Sequence, residues 1–345
     1  MDDTEVCVAP NISMKTSRES LFGFTLIELS IVLVIIGLIV GAVLVGQDLI
    51  RAASVRATVT QIEKYNTAVN TFRGKFGYLP GDINATAATQ FGFAARGAGE
   101  GSGDGNGLLE GSGGSNGNIV VSGETGMFWV DLTVANGLNI NLIDGSFNPY
   151  TPATMWNSNN PGNNLSGTVL NKYLPQAKIG RGNYVYVWSG GWVESLNGSP
   201  GNAINYFGIG QIISTGVGLP NANMGLTVKE AYDIDNKMDD GFPQSGRVMA
   251  MFDDSNDYYG LDTQNNCVWS SALASDGGGQ ATLCGLSDAA TTGPVTSAGS
   301  VASSDTNSTT TCFDYSNPSA PSLPLVYSMK NNAQQVNCAL SFQFQ

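Results

Sequence analysis

Glu28 is the only charged residue in an apolar stretch that runs from Gly23 to Val45. At about 1.5 Å per residue, this stretch would form a helix about 33 Å long, which matches the roughly 30 Å hydrocarbon core of a bilayer. An ionised carboxylate inside such a helix costs about 2.5–3.5 kcal/mol even on the most lenient insertion scale. We therefore expect Glu28 to be functional and to meet a partner of opposite charge.

A second set of polar residues has the spacing of a calcium-binding loop. Asp104, Asn106 and Glu110 occupy the third, fifth and ninth positions of an EF-hand-like loop with a turn glycine at its sixth position. The bidentate Glu of the twelfth position is missing, so we expect weak Ca²⁺ binding by these three residues unless Glu100 or Glu124 contributes. The alternative is that this Gly-rich segment is a plain surface connector.

Another acidic segment follows a predicted helix near residue 230. Thr227 and Glu230 have the spacing of a capping box, which predicts a helix that begins there and ends at about Met238. Asp239 and Asp240 lie in the turn that follows. They could bind a cation or cap the next turn, and the sequence leaves both roles open.

The composition argues against most enzyme classes. The chain contains no histidine, which excludes His-based catalytic triads, His general bases and His-liganded zinc. Ser115 lies in a Gly-x-Ser-x-Gly pattern, but its Gly-rich surroundings and the lack of a histidine partner do not fit a nucleophile elbow. A net charge of −13 is unfavourable for nucleic-acid binding. We expect neither catalysis nor nucleic-acid binding.

The apolar stretch continues into a long amphipathic helix. No Gly or Pro occurs between Gln47 and Arg73, and apolar residues recur at steps of three, four and seven. These residues are Val55, Val59, Ile62, Val69, Phe72 and Phe76. The pattern predicts a helix over residues 24–76, about 80 Å long, that spans the membrane to about residue 46.

Small residues recur on one face of the apolar half of this helix. Gly37 and Gly41, and likewise Ala42 and Gly46, are four residues apart. Such spacing allows neighbouring helices to approach closely. Glycine is also common in membrane helices in general, so both interpretations stay open.

The run Gly23-Phe24-Thr25-Leu26-Ile27-Glu28 with the aliphatic helix after it resembles the cleavage and methylation signal of type IV pilins and type II secretion pseudopilins. The resemblance implies that a prepilin peptidase cuts between Gly23 and Phe24 and that the new Phe24 amine is methylated. It also implies that Glu28 neutralises this amine on a neighbouring subunit during assembly.

The resemblance divides the chain into three parts. Residues 1–23 are a leader that stays in the cytoplasm, and initiation at Met14 would give a shorter leader with Lys15 and Arg18. Residues 24–76 are the N-terminal helix, and residues 77–345 form an external globular domain. An ordinary signal peptide or plain membrane anchor is the alternative.

The globular part is predicted to combine helices with an antiparallel sheet. Strands are expected at 184–188, 204–209, 247–252 and 339–344 because these segments are rich in β-branched and aromatic residues. Three segments resemble a group of large pilin-like proteins, namely Leu79-Pro80-Gly81-Asp82, Asp104-Gly105-Asn106-Gly107 and a helix from Glu124 through Trp129 that we expect to reach Leu138.

Four cysteines follow the leader, and in an exported domain an even number of cysteines indicates disulfides. Four cysteines can form two disulfides in three different ways. We favour Cys267–Cys284 with Cys312–Cys338 because closure between near neighbours suits a region of short strands and loops.

Together these features predict an α+β protein with a long N-terminal helix packed on a C-terminal antiparallel β-sheet domain with long loops. The resemblance implies a subunit anchored once in the bacterial inner membrane, with its domain in the periplasm and then in a pseudopilus or a surface pilus. Its partners would be the prepilin peptidase and other pilin or pseudopilin subunits. The alternatives are a filament-displayed adhesin or ligand-binding minor pilin, and a membrane-tethered periplasmic domain.

Overall fold

A computed structural model describes residues 25–96, 101–111, 123–135, 138–148, 165–189, 204–215, 220–223, 225–243, 245–253, 268–270, 312–315, 325–329, 333–334 and 336–344. The chain divides into two compact units, Met1–Ile50 and Arg51–Gln345. The described elements form an α+β protein with a long apolar N-terminal helix and a small antiparallel sheet. This confirms the predicted fold class in outline.

The described helices are few, and most of the strands are short. The helices are α1 Leu26–Phe76, α2 Ala85–Phe91, α3 Gly123–Thr133 and α4 Val228–Met238, with a 3-10 helix at Gly167–Lys172. The strands are β1 Val134–Ala135, β2 Leu138–Asn139, β3 Asn183–Ser189, β4 Asn205–Thr215, β5 Pro220–Asn223, β6 Leu226–Thr227, β7 Val248–Met249, β8 Met251–Asp253, β9 Val268–Ser270, β10 Phe313–Tyr315, β11 Leu325–Tyr327, β12 Val336–Cys338 and β13 Leu340–Gln343.

In the first unit, the large apolar side chains of α1 are exposed, from Leu26 to Ile50. An 18-residue window of this helix has a mean hydropathy of 3.0, and none of that window is buried. The helix is therefore long and apolar enough to cross a membrane.

In the second unit, α1 contributes one face to the hydrophobic core. Val55, Ile62, Tyr65, Val69 and Phe72 are all buried. Their successive spacings are seven, three, four and three residues, which keeps the side chains on one side of the helix. The amphipathic pattern read from the sequence is confirmed here.

The main sheet has the strand order β3-β4-β13-β7, and its neighbours run antiparallel. Val185 lies opposite Ile209, and Phe342 lies opposite Phe207. β5 pairs with the far part of β4. Each of the four strands overlaps a segment predicted from the sequence, although β3 is one residue longer at each end and β4 continues to Thr215.

The predicted strand at 247–252 is divided into two. β7 pairs with β13 in the main sheet, whereas β8 pairs with β9 in a separate two-stranded sheet. Ala250 separates them, and its N–H donates to the Pro243 carbonyl (2.7 Å). This contact turns the backbone away from its pairing with β13. Such a break cannot be recognised from the pattern of apolar residues alone.

Aromatic side chains from α1, α3 and the sheet meet in the core. The ring of Trp129 lies 5.0 Å from that of Tyr65, and the ring of Phe207 lies 4.3 Å from that of Phe344. On the other face of the sheet, Gly208 makes room for Tyr186 of β3, because a Cβ at that position would lie 2.2 Å from Cζ of Tyr186. We conclude that β4 needs a glycine there.

Helix α3 is shorter than predicted. It ends at Thr133 instead of continuing to Leu138, and the chain then forms the β1–β2 hairpin. The Thr133 hydroxyl donates to the carbonyls of Trp129 and Val130, both at 3.0 Å. This back-bonding, together with β-branched Val134, favours an end of the helix at this point.

The predicted disulfide Cys312–Cys338 is present, with a sequence separation of 26 residues and both cysteines buried. A bridge that closes a loop of this size stabilises a fold by about 2–4 kcal/mol. It joins the segment before β10 to β12. Cys267 and Cys284 lie outside the described residues, so their pairing stays a prediction.

Candidate functional site

The carboxylate of Glu28 is held by Thr25, the residue that immediately precedes α1. The N–H and the hydroxyl of Thr25 both donate to Glu28 Oε2 at 2.8 Å, and the Glu28 N–H donates to Thr25 Oγ1 at 3.3 Å. This is a capping box. The sequence contains its Thr-x-x-Glu pattern, which we recognised at Thr227 but not here.

Within the described residues, Glu28 has no cationic partner. Its side chain is exposed on a helix whose other exposed side chains are mostly apolar. Gly23 and Phe24, the predicted processing residues, lie outside the described residues. The charge of Glu28 is thus solvated by one threonine and is available to a cation from another molecule.

Loop 101–111 is organised by the buried carboxylate of Glu124. Glu124 Oε1 accepts from the N–H of Gly103 (2.8 Å), and Oε2 accepts from the N–H of Glu110 (2.9 Å). Gly103 has a φ of +91°, and a Cβ there would lie 2.4 Å from the Ile83 carbonyl oxygen. The loop can therefore wrap around this carboxylate only with glycine at position 103.

Asp82 provides a second buried carboxylate beneath the same loop. Its Oδ1 accepts from the N–H of Gly105 (2.7 Å) and its Oδ2 accepts from the N–H of Gly107 (2.8 Å). Asp82 follows the Pro80-Gly81 turn, and α3 begins one residue before Glu124. Two segments far apart in the sequence thus satisfy the backbone donors of one Gly-rich loop.

The turn before Asp82 is fixed by a buried ion pair. Asp131 Oδ2 accepts from the N–H of Gly81 (2.7 Å) and from Arg96 Nη2 (2.5 Å). Both side chains of the ion pair are almost completely buried. Sequence reasoning did not find this pair, because neither spacing nor a motif connects the two residues.

The three predicted calcium ligands do lie together. Asn106 Nδ2 donates to Asp104 Oδ2 (3.1 Å) and to Glu110 Oε2 (3.2 Å). The amide oxygen of Asn106 instead accepts from the N–H of Leu108 (2.7 Å). In this arrangement Asn106 bridges the two carboxylates as a donor, whereas a cation site would use its oxygen.

Asp104 also belongs to a cluster of three carboxylates that differs from the predicted set of ligands. Ligand oxygens of Asp82, Asp104 and Glu124 all lie within 4.8 Å of one another. Asp104 is exposed and the other two are buried. From the sequence, Glu124 was considered as an additional Ca²⁺ ligand, but Asp82 was not. Its local sequence indicated only a residue that follows a Pro-Gly turn.

Burial raises the pKa of the Asp82 carboxyl to about 7, and the nearby charge of Asp104 adds to the rise. Burial, and then the charge of Asp82, raises the pKa of Glu124 well above its usual range. The N–H groups that bind these carboxylates act in the opposite direction. Protons, or a hard cation such as Ca²⁺, would relieve the repulsion in this group.

The second acidic segment braces a turn. Asp235 accepts from the hydroxyl of Tyr327 (2.7 Å), and Asp240 accepts from the N–H of Phe242 (2.8 Å). Asp239 accepts from the backbone N–H groups that precede and begin β7. Burial raises the pKa of Asp235 to about 7. These contacts fit the predicted role of Asp239 and Asp240 in capping the turn. Oxygens of Asp235, Asp239 and Asp240 also lie within 4.8 Å of one another, which is close enough for them to bind one cation.

We compared the chain with protein-family models and with curated proteins, and the structure with solved structures, and none of the three comparisons gave a match.

The carboxylates beneath loop 101–111 should make the protein less stable as the pH rises. The pKa of Asp82 is about 7 in the folded protein, whereas that of an Asp in an unfolded chain is about 4. Between these values the folded state binds more protons, so the free energy of unfolding should fall from about pH 4 to about pH 7. Urea unfolding at several pH values should show this slope in the wild type and a smaller slope in Asp82→Asn.

Asp233→Asn is the matched control, since Asp233 lies on α4 outside both acidic groups and pairs with Lys229. Its pH slope should equal that of the wild type. An unchanged slope in Asp82→Asn would show that the Asp82 carboxyl is already ionised across this range in the folded protein.

Loop 101–111 should bind Ca²⁺ weakly, with a Kd of about 10⁻⁴–10⁻³ M, because it offers carboxylates but no bidentate Glu at the twelfth position. Calorimetry on the full chain should record binding in the wild type and in Asp233→Ala, and a clear loss in Asp104→Ala. Equal heat in Asp104→Ala would place the site elsewhere, with Asp239 and Asp240 as the next candidates. No heat in any variant would identify the loop as a plain connector.

Proposed function

We propose that this chain is a pilin-like structural subunit that polymerises through its N-terminal helix into a type IV pilus or a type II secretion pseudopilus. The observation that supports this most directly is the state of Glu28. Its carboxylate lies on an exposed apolar helix, and among the described residues only Thr25 of the same chain binds it. A membrane anchor alone gives no reason for a charge at this position.

Two features of α1 support close packing against other subunits. Large apolar side chains line all sides of the helix up to residue 50 and are exposed. A Cβ added at Gly37, Gly41 or Gly46 would meet no atom within 4 Å. These glycines therefore offer a smooth surface to a neighbouring helix, as at other small-residue interfaces.

In this proposal the prepilin peptidase removes residues 1–23, the helix anchors the subunit in the inner membrane, and the second unit lies in the periplasm. The new amine of Phe24 would then meet Glu28 of a neighbouring subunit. In a hydrocarbon environment this pairing removes the cost of two isolated charges. The proposed mechanism is assembly, without catalysis.

The proposal predicts cleavage between Gly23 and Phe24. Mass spectrometry of protein from cells with an active prepilin peptidase should show a chain that begins at Phe24 and carries a methyl group on its amine. Protein from cells that lack the peptidase is the control and should keep its leader. A leader that remains in cells with the active peptidase would leave a membrane-tethered periplasmic domain as the better interpretation.

Glu28→Gln should insert into the membrane normally but assemble poorly. The glutamine oxygen can still accept from Thr25, so the substitution removes the charge and keeps the cap. Loss of one partner of a buried charge pair costs about 2–5 kcal/mol, so cross-linking between subunits should fall by more than about tenfold. Glu63→Gln, which removes an exposed charge from the same helix, is the control. Wild-type levels of cross-linking in Glu28→Gln would contradict the charge-pair role.

A further inference from the structure

A cleft of about 660 Å³ opens in the second unit beside α1. One wall is α1 between Arg56 and Tyr65, and the others come from residues 144–147 and 171–178. Its volume lies within the range of about 300–1,000 Å³ that is usual for small-molecule sites. It does not include the acidic residues of loop 101–111 or the apolar half of α1.

The cleft is positively charged although the chain is strongly acidic. Arg56, Lys64 and Lys178 line it, and Asp144 is the one carboxylate among the lining residues. The whole chain has a net charge of −13. A local excess of cations in such a chain favours an anionic ligand over a cationic or neutral one.

Two of these cations are available to a ligand. Lys64 pairs with Asp144 at 2.5 Å, and both side chains are substantially exposed. In the described part of the chain, Arg56 and Lys178 form no ion pair. A guanidinium and an ammonium group that line one cleft suit a carboxylate, which can accept hydrogen bonds on both oxygens.

The inner wall of the cleft is held rigidly by Gln61. Gln61 Nε2 donates to the Tyr65 hydroxyl (2.9 Å) and to the Gln176 carbonyl (2.9 Å), and Gln61 Oε1 accepts from the N–H of Lys178 (2.8 Å). These bonds connect α1 to the 174–178 segment. The position of the Lys178 backbone relative to Tyr65 is therefore fixed before any ligand binds, which lowers the entropic cost of binding.

Tyr65 adds a neutral donor to this wall. Burial raises the pKa of its hydroxyl to about 12, so the proton stays on the oxygen at physiological pH. The oxygen already accepts from Gln61. Among the described residues, no acceptor takes the Tyr65 proton, which leaves it for a ligand oxygen.

The remaining lining residues favour a ligand rich in hydroxyl groups. Four of them carry neutral polar side chains, whereas only two carry large apolar side chains. The polar ones are Thr60, Ser146, Asn171 and Gln176, and the large apolar ones are Phe147 and Leu174. Two large apolar side chains are too few to cover the chain of a fatty acid, whereas the polar groups match the donors and acceptors of a sugar ring, and the apolar ones can pack on its C–H face.

We propose that this cleft binds an acidic sugar, with the carboxylate of a hexuronate unit between Arg56 and Lys178. The Tyr65 hydroxyl donates to an oxygen of the same unit. The Asn171 oxygen already accepts from Gln176 Nε2 (2.8 Å) and from the Tyr184 hydroxyl (2.9 Å), so Asn171 Nδ2 and Gln176 Oε1 are the amide atoms that bind ring hydroxyls. This role goes beyond assembly and does not depend on it, since every residue that forms the cleft belongs to the second unit.

The test uses the full chain in a polyoxyethylene detergent, because a detergent with a sugar head group would compete for the site. Calorimetry should detect binding of glucuronate, and glucose should bind at least about tenfold more weakly, since it lacks the carboxylate that forms charge-assisted hydrogen bonds. The double variant Arg56→Gln/Lys178→Gln should weaken glucuronate binding by a similar factor. Lys172→Gln is the matched control, as this exposed lysine ends the neighbouring 3-10 helix but does not line the cleft.

Three results would overturn the proposal. Failure of glucuronate to bind to the wild type, or equal binding of glucuronate to the double variant, would show that the site does not exist. Inorganic phosphate is the third probe. If phosphate bound as tightly as glucuronate, the cleft would be a simple anion site without preference for a sugar.

Discussion

Buried backbone N–H groups need hydrogen-bond acceptors, and those in the loops around α3 have no neighbouring strand to provide them. This need determines how the second unit is built around α3. Loop 101–111 and the turn at Gly81 contain no regular pairing, yet several of their N–H groups are buried. Two carboxylates of α3, Glu124 and Asp131, accept from them. Because α3 is itself buried along its whole length, each of these carboxylates is removed from water and is retained only while the loops stay in place.

This arrangement also explains why α3 lies at the centre of the core. Trp129 of the same helix contacts Tyr65 of α1, and Phe128 packs near Phe207 of β4. Polar residues at both ends of the helix hold loops, whereas the aromatic residues between them join α1 to the sheet. One short helix thus connects the apolar core to the Gly-rich loops.

Local signals in the sequence predicted α1 and α4 well, but they predicted the convergence of distant residues poorly. The extent of α1 and the capping box of α4 follow from spacing within one helix. The end of α3 and the division of the strand at 247–252 depend on contacts such as that between Ala250 and Pro243. The same distinction applies to the candidate site. Asp104, Asn106 and Glu110 share a loop, so their proximity could be predicted, but the approach of Asp82 depends on how the whole unit packs.

The position of β13 has a consequence for the order of folding. This strand occupies the interior of the main sheet, between β4 and β7, although it follows all its neighbours in the chain. Until residues 340–343 have been synthesised, β4 has an unpaired edge where Phe342 will lie opposite Phe207. The nascent chain therefore cannot complete this sheet before β13 has been synthesised. The edge of β4 must remain protected from aggregation until then, and a loss of the few residues of β13 would split the sheet in two.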